Sequence, residues 1–113
     1  MPAITDLKYG EIGILGKTIY SDVVVWWDGK NALLTKTHKI TLPLMETVIK
    51  KKPESVVIGV GLEGTVHISP AAAEKLKEKG IRLFVDRTEN AIEIYNAFEQ
   101  IGKKVAGIFH VTL

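Results

Sequence analysis

The chain contains no cysteine. That excludes disulfides, a thiol nucleophile and a thiolate metal site. Glutamine occurs once, at Gln100, against thirteen lysines and nine glutamates, a composition that hints at a thermophilic source. No apolar run is long enough to span a membrane, so no membrane association is expected. The start, Met1-Pro2-Ala3-Ile4, shows no basic segment followed by an apolar one, so the cytoplasm is the expected compartment. Ser21, Ser55 and Ser69 all lie outside any G-x-S-x-G turn, which leaves no serine-nucleophile signature. The histidines His38, His67 and His110 have no helical i,i+4 spacing and no accompanying carboxylate cluster, so neither a metal nor a cofactor is expected. Net charge is +2, with lysine and glutamate interspersed, and no basic-aromatic interleaving appears, so nucleic acid is not an expected partner.

What is present suffices for a core. Apolar residues make up 46% of the 113 residues, which excludes disorder and fits a single domain over 1–113. Residues up to about Leu34 read as antiparallel strands. Ile12–Leu15 and Thr18–Tyr20 flank a Gly16-Lys17 turn, and Asp22–Trp27 is a run of β-formers. Asp28-Gly29 supplies a hairpin signal towards Ala32-Leu33-Leu34. From there helices and strands alternate. Helices are expected near Leu42–Lys51, Pro70–Lys79 and Thr88–Ile101, and strands at Ser55–Ile58, Ile81–Val85 and Lys104–Val111. Ser69-Pro70 opens the second helix and Gly80 ends it; Thr88 is the expected cap of the third and Gly102 its stop. Apolar strands alternating with helices predict a compact three-layer α/β fold around a mainly parallel, mixed sheet.

Gly59-Val60-Gly61-Leu62-Glu63-Gly64 follows the apolar strand Ser55–Ile58 and spells G-x-G-x-x-G, with Asp86 at the end of a later strand. In a dinucleotide site those glycines form the first turn of a helix. Here Thr65–Ile68 intervenes as an extended segment before the helix opens at Ser69. The motif is therefore read as a tight strand-to-loop turn rather than a cofactor cradle.

Towards the end of the chain, Thr88, Ala91, Tyr95-Asn96, Gly102, Val105-Ala106 and His110-Val111-Thr112 form an ordered pattern. With Gly10, Gly16-Lys17, Tyr20, Asp22, Asp28-Gly29, His38, Gly59 and Gly61, it resembles a small archaeal, bacterial and animal family. That family includes the adipogenesis-associated domain proteins and a mitochondrial respiratory complex I assembly factor. The resemblance implies a compact three-layer α/β fold, no established enzymatic activity and, for the mitochondrial relative, a role in protein assembly. One departure is Leu33-Leu34 after the Asp-Gly turn, where the family carries an aromatic pair; Trp26-Trp27 precedes the turn here.

Two functional readings follow. In the first, the chain is a non-enzymatic binding or assembly module whose partner is another protein. Trp26 and Trp27, alternating across one strand, then supply an interface residue beside a core one. In the second, it binds a small anionic ligand, or acts as an enzyme, at the rim formed by Gly59, Gly61, Gly64, Asp86, Thr88 and His38. Parallel neighbours end on one side of a sheet, and glycine-loop amides form anion-binding concavities there. Asp86 reads equally as a ligand contact and as a helix-entry turn, and His38 as a loop residue in plain solvent. His110, between Phe109 and Val111, reads as a satisfied core histidine, and Asn96 as an amide bonded to a neighbouring loop. Lys50-Lys51-Lys52 reads as the solvated, basic end of a helix.

Overall fold

Two antiparallel ribbons open the molecule, and the expected alternation of helices and strands then builds on the second. The computed structural model describes residues 4–8, 10–34, 39–61 and 66–111. In chain order the elements are β1 (Ile4–Lys8), β2 (Glu11–Ile14), β3 (Lys17–Ile19), β4 (Asp22–Trp26), β5 (Asn31–Leu34), β6 (Lys39–Ile40) and α1 (Leu42–Ile49). They continue with β7 (Ser55–Gly59), β8 (His67–Ile68), α2 (Pro70–Glu78), β9 (Arg82–Asp86), α3 (Thr88–Gln100) and β10 (Val105–Phe109).

The central sheet has the order β5-β4-β10-β7-β9. Strands β10, β7 and β9 are parallel, whereas β4 runs antiparallel to both β10 and β5. Every residue of β4, β7 and β10 is buried, as apolar strands covered on both faces require. One face carries α3 and the β1-β2-β3 sheet, with Ile4, Ile12, Val23, Val25, Val57, Tyr95 and Phe109 between them. The other carries α1 and α2, with Val24, Met45, Val48, Val56, Ile58, Leu76 and Ile108 in that core. Each fully buried aliphatic side chain contributes roughly 1.5–3 kcal/mol relative to exposure. This is the expected three-layer α/β architecture around a mixed sheet.

Local chemistry sets the helix ends. Ser69 Oγ accepts from Ala72 N at 3.1 Å, and Pro70 occupies the first helical position of α2. After α3, Gly102 N donates to Glu99 O at 3.1 Å and Lys103 N to Phe98 O at 3.0 Å, with Gly102 at φ +80°. That pair of bonds is a Schellman ending, which needs the left-handed backbone that glycine adopts freely. Asn96 binds the backbone of β1: its Oδ1 accepts from Ile4 N at 3.1 Å and its Nδ2 donates to Ile4 O at 2.8 Å. The mid-helix amide thus fastens the N-terminal strand to α3.

Three details differ from the sequence reading. Strands β1 and β6 were not expected; β6 is a two-residue piece that pairs in parallel with β8. Thr88 is not the cap of α3: it is the first helical residue, Arg87 occupies the cap position, and no side chain caps it. The Thr88 hydroxyl is committed elsewhere, to the backbone of two other segments. Among the described residues, no helix is long and apolar enough to cross a membrane.

Candidate functional site

The parallel register Gly59↔Asp86 brings the carboxyl ends of β7 and β9 to one rim, as expected. Gly59, Gly61, Asp86 and Thr88 do gather there; His38 and Gly64 lie outside the described residues. Their polar atoms are largely turned on one another. Gly61 N donates to Thr88 Oγ1 at 3.0 Å, and that hydroxyl donates to His110 O at 2.6 Å. Thr88 N donates to Gly61 O at 3.2 Å, His110 N to Gly59 O at 3.0 Å and Val60 N to Asp86 O at 3.0 Å. A methyl group on Gly59 would stand 2.8 Å from Thr88 Cα and Oγ1, so that glycine lets α3 seat directly on the end of β7. Gly61 has φ +99°, the conformation the tight-turn reading requires. Asp86 is half-buried, and its Oδ1 accepts from Arg87 N at 2.7 Å and from Asn90 Nδ2 at 3.1 Å. The Asn90 bond, followed by that from the Arg87 backbone, holds the Asp86 carboxyl below the usual carboxylate range.

Behind this rim lies a sealed pair. His110 Nδ1 stands 2.6 Å from Asp22 Oδ2, and Asp22 Oδ1 accepts from Val111 N at 3.0 Å. His110 is 3% exposed and Asp22 4%. A contact that short between ring nitrogen and carboxylate requires a proton between them. The pair ties β4 to the segment just after β10, which ends at Phe109 rather than Val111, and the histidine is a buried core group. Trp26 is also absorbed by the monomer: its ring packs in the α1–α2 core, and Nε1 donates to Val48 O at 2.9 Å. Lys51 Nζ lies 5.2 Å from the centre of the Trp26 ring and forms an ion pair with Asp28 at 2.8 Å. Trp27 is half-buried and packs against both cores.

The large opening is at the opposite rim. A cavity of about 910 Å³ lies at the amino ends of β7 and β9, and the segment before β10 reaches it. Six cations line it: Lys50 and Lys52 after α1, Lys75 and Lys79 on and after α2, Arg82 on β9, and Lys103 before β10. Against them stand two carboxylates, Glu46 and Glu54. Glu54 is built into the junction below the strands, accepting from Lys104 N at 3.2 Å through Oε1 while its own N donates to Lys104 O at 2.7 Å. Among the described residues, none of the six cations forms an ion pair within 4.0 Å. Part of their charge faces the carboxyl ends of α1 and α2, where lysines complement the helix dipole. Six positive groups exceed what two helix ends balance, since each end carries about half an elementary charge. Ile49, Pro53, Ile81 and Phe98 add apolar walls. The cavity has the size and the mixed lining of a ligand site. No sequence motif marked it, because its cations come from four separate segments.

The fold recurs in solved structures. A conserved hypothetical protein, PH1505 from Pyrococcus horikoshii OT3, superposes with a TM-score of 0.84 at 21% identity, covering 97% of this chain and 98% of that one. The protein MT938 gives a TM-score of 0.84 at 27% identity, with 100% of both chains covered. A Mth938-like domain protein of Bordetella pertussis gives 0.80 at 15% identity, covering 97% of this chain and 85% of that one. Residues 4–110 match the model of a family described as proteins of unknown function, DUF498/DUF598, and the chain belongs to that family.

Proposed function

We propose that this protein is a binding module that recognises an anionic ligand or an acidic partner surface through the cleft at the amino ends of β7 and β9. The observation that carries this reading is the cavity itself: about 910 Å³, lined by six cations and only two carboxylates. Like charges gathered round one concavity repel one another, and an anion bound between them relieves that repulsion while gaining several attractions at once. A binding role rather than a catalytic one is supported by what fills the rest of the molecule. The Asp22–His110 pair is sealed in the core, where it ties strands together. The assembly role implied by the resemblance to the mitochondrial assembly factor fits the same class of activity, with cytoplasmic residence as the working expectation. The glycine rim is the weaker site, because the Gly61 amide and the Thr88 hydroxyl already serve each other.

Calorimetric titration with pyrophosphate, a compact polyanion, tests the reading. Saturable binding is expected for the native protein, falling steeply with added salt and strongly weakened in the double variant Lys75→Gln/Lys79→Gln. Equal binding by that variant, or none by the native protein, would remove the cleft from consideration.

A further inference from the structure

One corner of the cleft carries more detail than its charge. Side chains alternate along a strand, and Val57 and Phe84 both pack on the α3 side of the central sheet. Ser55 and Arg82, each two residues earlier, therefore face the same side, and they are direct partners in the β7–β9 register. Val105, the first residue of β10, pairs with Ser55 from the other side, which brings Lys103, two residues before it, to the same corner. Ser55 lines the cavity and yet is only 6% exposed. Its backbone amide donates to Lys104 O at 3.4 Å, whereas its hydroxyl has no protein partner among the described residues. A hydroxyl on a residue more than nine-tenths buried, without a protein partner and lining a cationic cavity, is a donor open to an acceptor held in that cavity. Phe98, on α3, forms a wall of the same corner and is braced by Phe84, with ring centres 5.2 Å apart at a tilt of 52°.

Resting on the reading of the cleft as an anion site, we infer that this corner is a phosphomonoester site. The Ser55 hydroxyl and the Arg82 guanidinium donate to the phosphate oxygens, Lys103 supplies a further charge, and the Phe98 ring packs against the organic part of the ligand. The chemistry favours phosphate over carboxylate. A phosphomonoester presents three oxygens and close to two negative charges, which suits donors arriving from β7, β9 and the segment before β10. The planar fork of an arginine matches two of those oxygens together. A carboxylate offers two coplanar oxygens and one charge.

Phenyl phosphate is the probe, with inorganic phosphate and phenylacetate for comparison, each titrated into the full chain by calorimetry. Phenyl phosphate is expected to bind more tightly than either control, because only it fills both the phosphate seat and the aromatic wall. Ser55→Ala should weaken it about tenfold, as loss of a hydrogen bond to a charged group does. Arg82→Lys should also weaken it although charge is retained, since the fork is lost. Lys77→Gln, outside the cavity, should leave it unchanged. Circular dichroism and thermal unfolding establish that each variant is folded. Phenyl phosphate binding that Ser55→Ala and Arg82→Lys leave intact in folded protein would overturn the assignment. So would phenylacetate binding as tightly as phenyl phosphate. Pyrophosphate binding without phenyl phosphate binding would overturn this inference and leave the anion cleft standing. Absence of both would overturn the two together.

Discussion

Replacing Thr88 by valine should separate architecture from function at the glycine rim. The two side chains are nearly the same size, so the change removes a hydroxyl with little change of shape. That hydroxyl is fully buried, accepts from Gly61 N at 3.0 Å and donates to His110 O at 2.6 Å. Valine leaves a buried N–H and a buried carbonyl each short of a partner. Each such loss costs about 1–3 kcal/mol, and the added methyl group returns up to about 0.8 kcal/mol. The net expectation is a loss of about 1–6 kcal/mol, a large part of the roughly 5–15 kcal/mol that holds a typical domain together. Urea unfolding followed by far-ultraviolet circular dichroism reads this as a lowered midpoint at unchanged slope. Thr88→Ser keeps the hydroxyl and should cost about 1 kcal/mol, chiefly through the missing methyl group. If Thr88→Val is within about 0.5 kcal/mol of the native protein, the size expected of a neutral surface change, the bridging role assigned to this hydroxyl is wrong.

Three further predictions concern stability. A methyl group on Gly107 would stand 2.5 Å from two ring carbons of Phe109, whose ring meets Tyr95 edge-on at 5.6 Å, so Gly107→Ala should lower stability. The cost should be about 1–3 kcal/mol, as for other overpacked cores, and chemical denaturation measures it. The Tyr95 hydroxyl is buried without a partner among the described residues, and desolvation, followed by the nearby Glu99 and Asp28 charges, pushes the phenol well above its ordinary value. Tyr95→Phe should therefore be neutral or stabilise by up to about 1 kcal/mol in the same measurement, whereas a loss larger than that would reveal a hydrogen bond. The bond from Lys51, then that from the Lys30 amide, lowers the Asp28 carboxyl below its ordinary value. Its contribution is present above the unfolded-state value and lost as pH falls through the lower folded-state value, so Asp28→Asn should flatten the acid limb of stability below about pH 4. The effect should be under about 1 kcal/mol because the pair is exposed.

The fold was legible where local chemistry and tertiary packing agree. Ser69-Pro70, Gly80 and Gly102 punctuate helices through caps and left-handed turns that a sequence displays directly, and both ends of α2 and the end of α3 fall within two residues of those marks. The buried strands β4, β7 and β10 show as apolar runs because both of their faces are covered. Strand β1 was not legible, since Ile4–Lys8 alternates weakly and is held by Asn96 from a helix ninety-two residues away. Thr88 looked like a cap because threonine before a helical run usually is one; the hydroxyl is drawn instead to Gly61 and His110 by the close seating of α3 on Gly59. The basic cleft could not be read at all. Lys50 and Lys52 are close in sequence, but Lys75 and Lys79 reach them through the packing of α2 beside α1, and Arg82 and Lys103 through the parallel register of β7, β9 and β10.

Backbone amide nuclear magnetic resonance during a pyrophosphate titration tests directly which rim of the sheet meets the ligand. The expected result is a saturable set of shifts at Ser55, Gly80, Ile81, Arg82 and Lys103, with Gly59, Gly61, Asp86 and Thr88 unmoved. Shifts confined to Gly59, Gly61 and Thr88 would contradict it and return the site to the glycine rim.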